Sequence, residues 1–207
     1  MTVIFSRKNK KAATQSSRFR LRPLTSYMLE KGLLASSLIA GQMLLSPASL
    51  AGPEGGVVVS GDGTITKVSD VETKIAQESQ NLLMNFDSFD LSSNESVLIT
   101  QPNAAALFVG QIIGGSPTAI FGSITANGRV ALVNPRGIIF GKTATINAAG
   151  IFASALGLSS DDFTGDNKAK FEALGGPGGY VINEGIINAS VGGSVSLLGE
   201  TVTNTGI

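Results

Sequence analysis

The stretch Ala126-Asn127-Gly128-Arg129-Val130-Ala131-Leu132-Val133-Asn134-Pro135-Arg136-Gly137-Ile138-Ile139-Phe140 decides the fold of this chain. Two apolar runs, Val130–Val133 and Ile138–Phe140, flank the tetrapeptide at 134–137. Runs of four residues or fewer are too short for a helix and are typical of strands. In a type I turn the Asn134 side chain can bond the backbone of the turn, and Pro135 fixes the φ angle that the second position needs. Gly137 relieves steric crowding at the fourth position. The stretch therefore predicts two short strands joined by a tight turn.

The same alternation of short apolar runs and turn residues extends from Gly55 onward. The separators are Gly, Asn and Asp, and the chain holds 26 glycines with only 14% charged residues. This composition favours many strands and turns over a helical bundle. The further candidate strands are Val57–Val59, Leu82–Met84, Val97–Ile99, Ile151–Ala153, Tyr180–Ile182 and Val195–Leu198.

A repeat of about 20 residues underlies these runs. The phrases that begin at Ile124 and Ile146 are 22 residues apart, and those that begin at Val181 and Val202 are 21 apart. In the second pair Val/Thr-Asn-x-Gly-Ile recurs almost letter for letter. Such a period predicts a solenoid, in which each coil buries its apolar face on its neighbours. Short strands and Asn-x-Gly turns in place of helices predict a β-solenoid and favour a parallel β-helix. A leucine-rich repeat has a similar period, but the regular leucines that it needs are missing here.

Two stretches interrupt the pattern. Ser159–Leu174 is charged and helix-favouring and ends at the breaker Gly175–Gly179, so we interpret it as an insertion that leaves the solenoid with one or two helical turns. The stretch Val71–Gln80 is either helical or the first half of a hairpin. The sequence stops at Gly206-Ile207 within a repeat phrase and without a polar cap, which predicts the N-terminal fragment of a longer protein.

Composition and charge exclude several classes of function. The chain has no His and no Cys, which excludes a Ser-His-Asp triad, a Cys nucleophile, a disulfide framework and a Cys/His zinc site. Its net charge of zero divides into +7 over the first 51 residues and −7 over the rest. An acidic mature part makes nucleic-acid binding improbable. No cofactor, metal or catalytic residue is predicted.

The first 51 residues read as a removable leader. A basic stretch from Arg7 to Lys31 precedes the apolar segment Gly32–Leu45, and Ser49 and Ala51 are the small residues that signal peptidase reads. The alternative is a membrane anchor, but 14 residues are fewer than the roughly 20 that a spanning helix needs. We therefore expect a Sec signal peptide that ends at Ala51, followed by one domain at 52–207.

A series of motifs in fixed order supports a family assignment. They are Asn85–Leu91, Val97–Pro102, Ser116–Gly122, Ala126–Ile138, Phe140–Asn147 and Gly150–Ser154. This series resembles the two-partner secretion domain, or haemagglutination activity domain, at the start of filamentous haemagglutinin and the high-molecular-weight adhesins. The resemblance covers roughly the whole mature chain.

The resemblance implies a right-handed parallel β-helix with a small antiparallel N-terminal cap and an excursion off the helix. It also implies a large secreted or cell-surface exoprotein, an adhesin, that passes through the periplasm. There the POTRA domains of a TpsB-type outer-membrane transporter recognise it. The NPNGI motif of the family falls on Asn134, Pro135, Arg136, Gly137 and Ile138, which become the candidate recognition residues. Any contact with host cells is assigned to a downstream passenger.

The chain departs from the family pattern at two places. Arg136 stands where the family has Asn, a substitution that the third position of a type I turn tolerates. The second family tetrapeptide, NPNL, is absent, and Gln101-Pro102-Asn103-Ala104 is a poor substitute for it. Its absence favours the high-molecular-weight adhesin branch.

Two alternative functions remain open from the residues. One is a polysaccharide-active β-helix enzyme such as a pectin lyase, which needs clustered carboxylates or a basic catalytic residue on one face. The other is direct adhesion by this domain, although aromatic side chains for sugar stacking are scarce. The available carboxylates are Asp87, Asp90 and Glu95 near the expected cap, and Asp161, Asp162 and Asp166 in the expected insertion.

Overall fold

A computed structural model describes residues 52–158, the backbone of 171–172, and residues 179–207. All of them belong to one compact unit of the chain. In these ranges no helix is long and apolar enough to cross a membrane. The signal peptide prediction, including Ser49 and Ala51, concerns residues outside the described part.

The described residues form short strands joined by turns. In chain order they are β1 (Gly52–Glu54), β2 (Val57–Ser60), β3 (Gly63–Lys67), β4 (Glu72–Gln77), β5 (Asn81–Phe86), β6 (Ser88–Asp90), β7 (Ser96–Thr100), β8 (Leu107–Ile112), β9 (Thr118–Ile120) and β10 (Ser123–Ala126). They continue with β11 (Arg129–Val133), β12 (Ile138–Phe140), β13 (Thr145–Ala148), β14 (Gly150–Ser154), β15 (Gly157–Leu158), β16 (Phe171–Glu172), β17 (Tyr180–Asn183), β18 (Ile186–Ala189), β19 (Val195–Leu198) and β20 (Thr201–Asn204).

These strands wind into a solenoid of about five coils with three parallel faces. Face 1 stacks β4, β7, β10, β13 and β18, face 2 stacks β5, β8, β11, β14 and β19, and face 3 stacks β9, β12, β17 and β20. Coil 1 holds β4 and β5, and Leu91 bridges in parallel to Ile120 on face 3. Coil 2 holds β7–β9, coil 3 β10–β12, coil 4 β13, β14 and β17, and coil 5 β18–β20. The fold class predicted from the sequence is confirmed.

The core lies inside the coils, where alternate residues of each strand point. On β7 the pattern is strictly alternating, with Val97 and Ile99 buried and their neighbours half-buried. Val97, Ile124, Ile146 and Ile187 lie above one another in register on face 1. In coils 1 and 2 the rings of Phe86 and Phe108 meet edge to face, with centroids 6.4 Å apart.

The predicted repeats coincide with the observed register. Ile124 pairs with Ile146 on face 1, and Val181 pairs with Val202 on face 3. The two phrase pairs therefore belong to different faces. The irregular spacing between Gly150 and Gly185 has this cause in addition to the predicted insertion, because it compares positions that do not stack.

The N-terminal end carries the expected antiparallel cap. β1 pairs with β6, β2 with β5 and β3 with β4, all antiparallel. The helical alternative for Val71–Gln80 is wrong, because β4 is a strand there. The hairpin alternative is wrong in its order, because β4 forms the second half of a hairpin with β3 and not the first. Its inward residues Thr73, Ile75 and Gln77 are buried against the core, and pairing with β7 outweighs local helix propensity.

The chain leaves the solenoid within coil 4, between β14 on face 2 and β17 on face 3. Stacked residues on face 3 are 20 apart from Thr118 to Ile138 and 43 apart from Ile138 to Val181. In the described part of the excursion β15 pairs antiparallel with β16. The predicted helical turns lie almost wholly outside the described residues, and Phe171–Glu172, the described piece, is a strand.

The described start of the excursion, β15, packs on the outer side of face 2. The outward residues Leu83, Val109, Ala131 and Val133 form a second buried cluster with Leu158 of β15. Gln111 Nε2 donates a 2.9 Å hydrogen bond to Leu158 O. This explains the unbroken apolar run Val130–Val133 of β11, whose side chains are buried on both sides of the sheet.

Candidate functional site

The predicted turn at Asn134–Gly137 forms the corner between faces 2 and 3 in coil 3. Asn134 Oδ1 accepts a 2.9 Å hydrogen bond from Arg136 N–H, and Asn134 O accepts one of 3.0 Å from Gly137 N–H. The first bond is an Asx turn and the second closes the four-residue turn. Both bonds lie within the motif, so the motif specifies its own backbone shape.

The same asparagine also joins three coils. Its Nδ2 donates 3.0 Å bonds to Ser116 O and to Thr118 Oγ1 in coil 2. Its backbone N–H donates to Ser154 O in coil 4 at 2.9 Å. The Asn134 side chain is fully buried and all its polar atoms have partners. A single amide group therefore shapes the turn and fixes its position against the coil before it.

The other residues of the motif differ sharply in exposure. Arg136 is exposed and Pro135 is half-buried. Gly137 has a φ of 123°, and a Cβ there would lie 3.0 Å from the Tyr180 ring, which leaves room only for glycine. Ile138 is in the core. In the folded solenoid, Arg136 and part of Pro135 are thus what the motif presents to a partner.

A second polar corner lies between β7 and β8, for which no functional role was predicted. The Gln101 side chain is buried, and its Nε2 donates to Gln77 Oε1 at 3.1 Å and to Ala106 O and Arg129 O at 3.2 Å. Its Oε1 accepts from Gly128 N–H at 2.9 Å. Gln101 thus bridges coils 1, 2 and 3. The signal for this corner in the sequence is a glutamine directly before a proline, Gln101-Pro102.

The Asn-x-Gly phrases of the repeat also have a structural cause. Asn183 Oδ1 accepts from Gly185 N–H at 3.1 Å, and Asn183 Nδ2 donates to Asn204 Oδ1 of the next coil at 2.9 Å. A Cβ on Gly185 would lie 2.7 Å from the carbonyl oxygens of Gly141 and Ala144. The phrase therefore combines an Asx turn, an asparagine ladder and a close approach of backbones.

Two of the carboxylates near the cap, Asp90 and Glu95, accept hydrogen bonds from backbone N–H groups. Asp90 Oδ1 accepts from Ala119 N–H at 2.7 Å, and Glu95 Oε2 accepts from Ser92 N–H at 2.6 Å. Asp87 is exposed. In the described ranges no group of three His, Cys, Asp or Glu residues could hold a metal ion. Asp161, Asp162 and Asp166 lie outside those ranges, so the candidate site that the structure describes is the Asn134 corner.

Comparison with known proteins assigns this solenoid to a family. The model of a family described as the TPS secretion domain matches residues 51–207. The chain is 35% identical over 160 residues to a heme/hemopexin-binding protein of Haemophilus influenzae strain Rd, covering 74% of this chain and 17% of that protein. Another heme/hemopexin-binding protein of Haemophilus influenzae is 37% identical over 102 residues, or 49% of this chain and 11% of that protein.

A solved structure has the same fold. The crystal structure of the HMW1 secretion domain from Haemophilus influenzae superposes with a TM-score of 0.67 at 31% identity, over 75% of this chain and 41% of that one. The chain thus spans less than a fifth of the two similar proteins and less than half of the HMW1 secretion domain chain.

Proposed function

The chain belongs to the TPS secretion domain family, and from that premise we propose that it directs a large exoprotein across the outer membrane through a partner transporter of the TpsB type. The family match over 51–207 is the observation that carries the proposal. We place signal peptide cleavage directly after Ala51, with Ser49 and Ala51 as the small residues that signal peptidase reads. The Sec machinery would deliver the chain to the periplasm. The POTRA domains of the transporter would recognise it there, and the product would be secreted or remain at the cell surface.

The solenoid architecture supplies a physical reason for such a role. Each coil pairs its strands with the coil before it and buries apolar side chains such as Ile124 and Ile146 against it. Coils can therefore fold one after another as they emerge from a pore, and a folded coil cannot slip back through it. The domain would cross the membrane unfolded and then nucleate folding of the passenger outside.

The turn Asn134–Ile138 is the recognition element that we propose. Its two closing hydrogen bonds run from Arg136 and Gly137 to Asn134, within four residues. Such a turn can form in a chain that has no solenoid yet, because it needs no partner from another coil. The bonds from Asn134 Nδ2 to coil 2, in contrast, exist only after folding. A transporter that binds the unfolded chain would read the first set of bonds and not the second.

Three variants separate recognition from folding. Asn134→Ala removes the Asx bond from Arg136 and both bonds of Nδ2, but keeps the backbone bond from Gly137. Asn134→Asp keeps the Oδ1 acceptor of the turn but loses the Nδ2 donor. Thr118→Val leaves the turn intact and removes one partner of Nδ2. The measurement is binding of each urea-unfolded, freshly diluted chain to the isolated POTRA domains, together with the amount secreted by cells that hold the transporter.

Recognition of the turn predicts that Asn134→Ala weakens capture by the POTRA domains at least tenfold, about 1.4 kcal/mol. Asn134→Asp and Thr118→Val should bind within about twofold of the wild type. Equal binding by Asn134→Ala and the wild type would show that the turn is not the recognition element. An equal loss in Thr118→Val would show that the folded solenoid is recognised instead.

The activity of the complete exoprotein lies outside this domain in our proposal. Heme/hemopexin binding by the similar Haemophilus proteins favours haem acquisition by the passenger, beside the adhesin function. This chain has no His or Cys, two common axial ligands of haem iron. We therefore assign haem or host-surface binding to the passenger and no catalysis to the domain. Purified residues 52–207 should bind neither hemin nor a glycan array, and a hit in either assay would move the activity into the domain.

A further inference from the structure

The first residue of β1 is buried in the cap. Gly52 pairs with Asp90 on antiparallel β6, and its φ of 125° lies in the region that glycine adopts without a steric penalty. Gly52 directly follows Ala51, the last residue of the expected leader. Removal of the leader would therefore change the nitrogen atom of a buried residue in a paired strand.

Glu95 brings a carboxylate to the same place. Its side chain is only 8% exposed, and its Oε1 lies 3.9 Å from the position that a Cβ on Gly52 would occupy. Its Oε2 accepts the hydrogen bond from Ser92 N–H, whereas Oε1 accepts none from the residues that the structure describes. Oε1 is not among the fully buried side-chain atoms that lack a partner, so it can accept from water, a donor or a cation. Oε1 is thus available to a group on Gly52.

We infer that the Glu95 carboxylate binds the α-ammonium group that forms on Gly52 when the peptide bond after Ala51 is hydrolysed. The inference rests on the proposed export function, because it needs cleavage at that bond. Water adds across the amide, Ala51 keeps a carboxylate, and Gly52 takes up the proton as an ammonium group, so that atoms and charge balance. Before cleavage the same nitrogen is a neutral amide, which makes no hydrogen bond to Glu95.

This ion pair makes the stability of the cap depend on processing. A charge at a buried position is stable only when it is paired, and the carboxylate supplies the pair. The chain that still carries its leader lacks the ammonium group, so its folded cap holds β1 to β6 less firmly. The chain that has lost its leader gains the interaction when the cap folds.

Other charges near β1 are mostly negative and favour an ammonium group as well. Asp90 lies opposite Gly52 on β6, with Oδ1 bonded to Ala119 N–H. Glu54 lies on β1, and β4, which contacts β1, carries one acid and one base. These last two are Glu72 and Lys74.

The carboxylates determine the pH dependence. We expect them to raise the pKa of the Gly52 α-amino group above its ordinary value of about 7.7–8.0. The stabilisation is therefore complete below that value and is lost as the pH rises through the raised pKa of the folded state.

A double-mutant cycle tests the ion pair. The complete chain is exported in cells that lack the transporter, and the intact mass of the purified protein identifies its first residue. One variant carries a serine inserted between Ala51 and Gly52, which moves the ammonium group one residue away, and the other is Glu95→Gln, which keeps an acceptor for Ser92. The unfolding equilibrium in urea is measured from pH 6 to pH 10 for the wild type, both variants and their combination.

We expect each change alone to lower the folding equilibrium constant about tenfold at pH 7, the equivalent of a pKa shift of about one unit, with no further loss in the combination. Between pH 8 and pH 10 the wild type should fall to the level of the variants. Additive losses, or a pH dependence that persists in Glu95→Gln, would overturn the inference. A first residue other than Gly52 would overturn it too, whereas the capture assay with the POTRA domains tests the export function independently.

Discussion

The two polar corners of the solenoid both need a closed turn and bonds to neighbouring coils, but they differ in which side chains make these bonds. At the Asn134 corner a single short side chain closes its own turn through Oδ1 and reaches coil 2 through Nδ2. At the Gln101 corner the tasks are divided. The Gln101 side chain bonds Gln77, Gly128 and Arg129 of the neighbouring coils and Ala106 O of its own corner, but makes no bond that closes the turn. The exposed Asn103 closes the turn by accepting from Ala105 N–H at 2.9 Å and Ala106 N–H at 3.1 Å, and its side chain also bonds the exposed Gln80.

The difference follows from side-chain length. The asparagine amide is close enough to its own backbone to bond a residue two positions along, which is why Asx turns are common. The glutamine amide lies one methylene further out and reaches across to neighbouring coils. A turn can therefore be read from its residues, whereas a bridge between coils requires knowledge of what lies above and below it. Stability measurements on the two corners can test this distinction.

The largest effect is expected at the coil bridge. Gln101→Ala removes bonds to Gln77, Ala106, Gly128 and Arg129, and leaves buried groups without partners. The free energy of unfolding in urea should fall by about 3 kcal/mol. The control is Gln80→Ala, an exposed glutamine that bonds only Asn103 side-chain atoms and should cost less than about 0.5 kcal/mol. Equal losses at the two positions would mean that the buried bridge adds nothing.

The second-largest loss of stability is expected at the Asn134 corner, where one residue both closes the turn and bonds coil 2. Asn134→Ala removes the Asx bond to Arg136 and the two bonds to coil 2, but it leaves the backbone bonds of the turn in place. We expect a loss of about 2 kcal/mol in the free energy of unfolding. Asn188→Ala is the matched control, because that exposed asparagine makes one bond, to Asn147. A loss no larger than that of the control would contradict the dual role.

A smaller loss of stability is expected at Asn103, which closes the turn of the Gln101 corner. Asn103→Ala removes the side-chain acceptor for Ala105 N–H and the two exposed bonds with Gln80, which should lower the free energy of unfolding by about 1 kcal/mol. Because Gln101 and Asn103 share no hydrogen bond, the double variant should show the sum of the single losses within about 0.5 kcal/mol. A coupling larger than that, measured by urea unfolding, would show that the tasks are not separate.

The smallest effect is expected where the chain departs from the family motif. Arg136→Asn changes an exposed side chain that makes no hydrogen bond to the described residues, so the free energy of unfolding should change by no more than about 0.5 kcal/mol. Arg129→Asn is the control, since Arg129 is also exposed but donates to Ala105 O at 2.7 Å and 3.2 Å. It should be the more destabilising of the two, and the reverse order would point to a structural role for Arg136.

Much of the fold could be predicted because its signals are local. The runs at Val97–Ile99 and Val130–Val133 are strands, and the phrases at Val181 and Val202 stack in register, because each coil repeats the pattern of the one before. The alternative helix at Val71–Gln80 was wrong because pairing with β7 overrode local propensity. The covered outer side of face 2 was missed, since a run such as Val130–Val133 is consistent with one buried side or two.

The sequence by itself determined the turns, the strands, the period and the family. Each depends on a few adjacent residues or on their repetition, and Asn134-Pro135-Arg136-Gly137 contains nearly all that its turn needs. Only the tertiary structure decided which side chains join the coils. Gln101, Asn134 Nδ2 and the carboxylate of Glu95 act on partners that come from other coils or from the cap. Hydrogen bonds and charges act over a few ångströms, so their partners become known only when the coils are stacked.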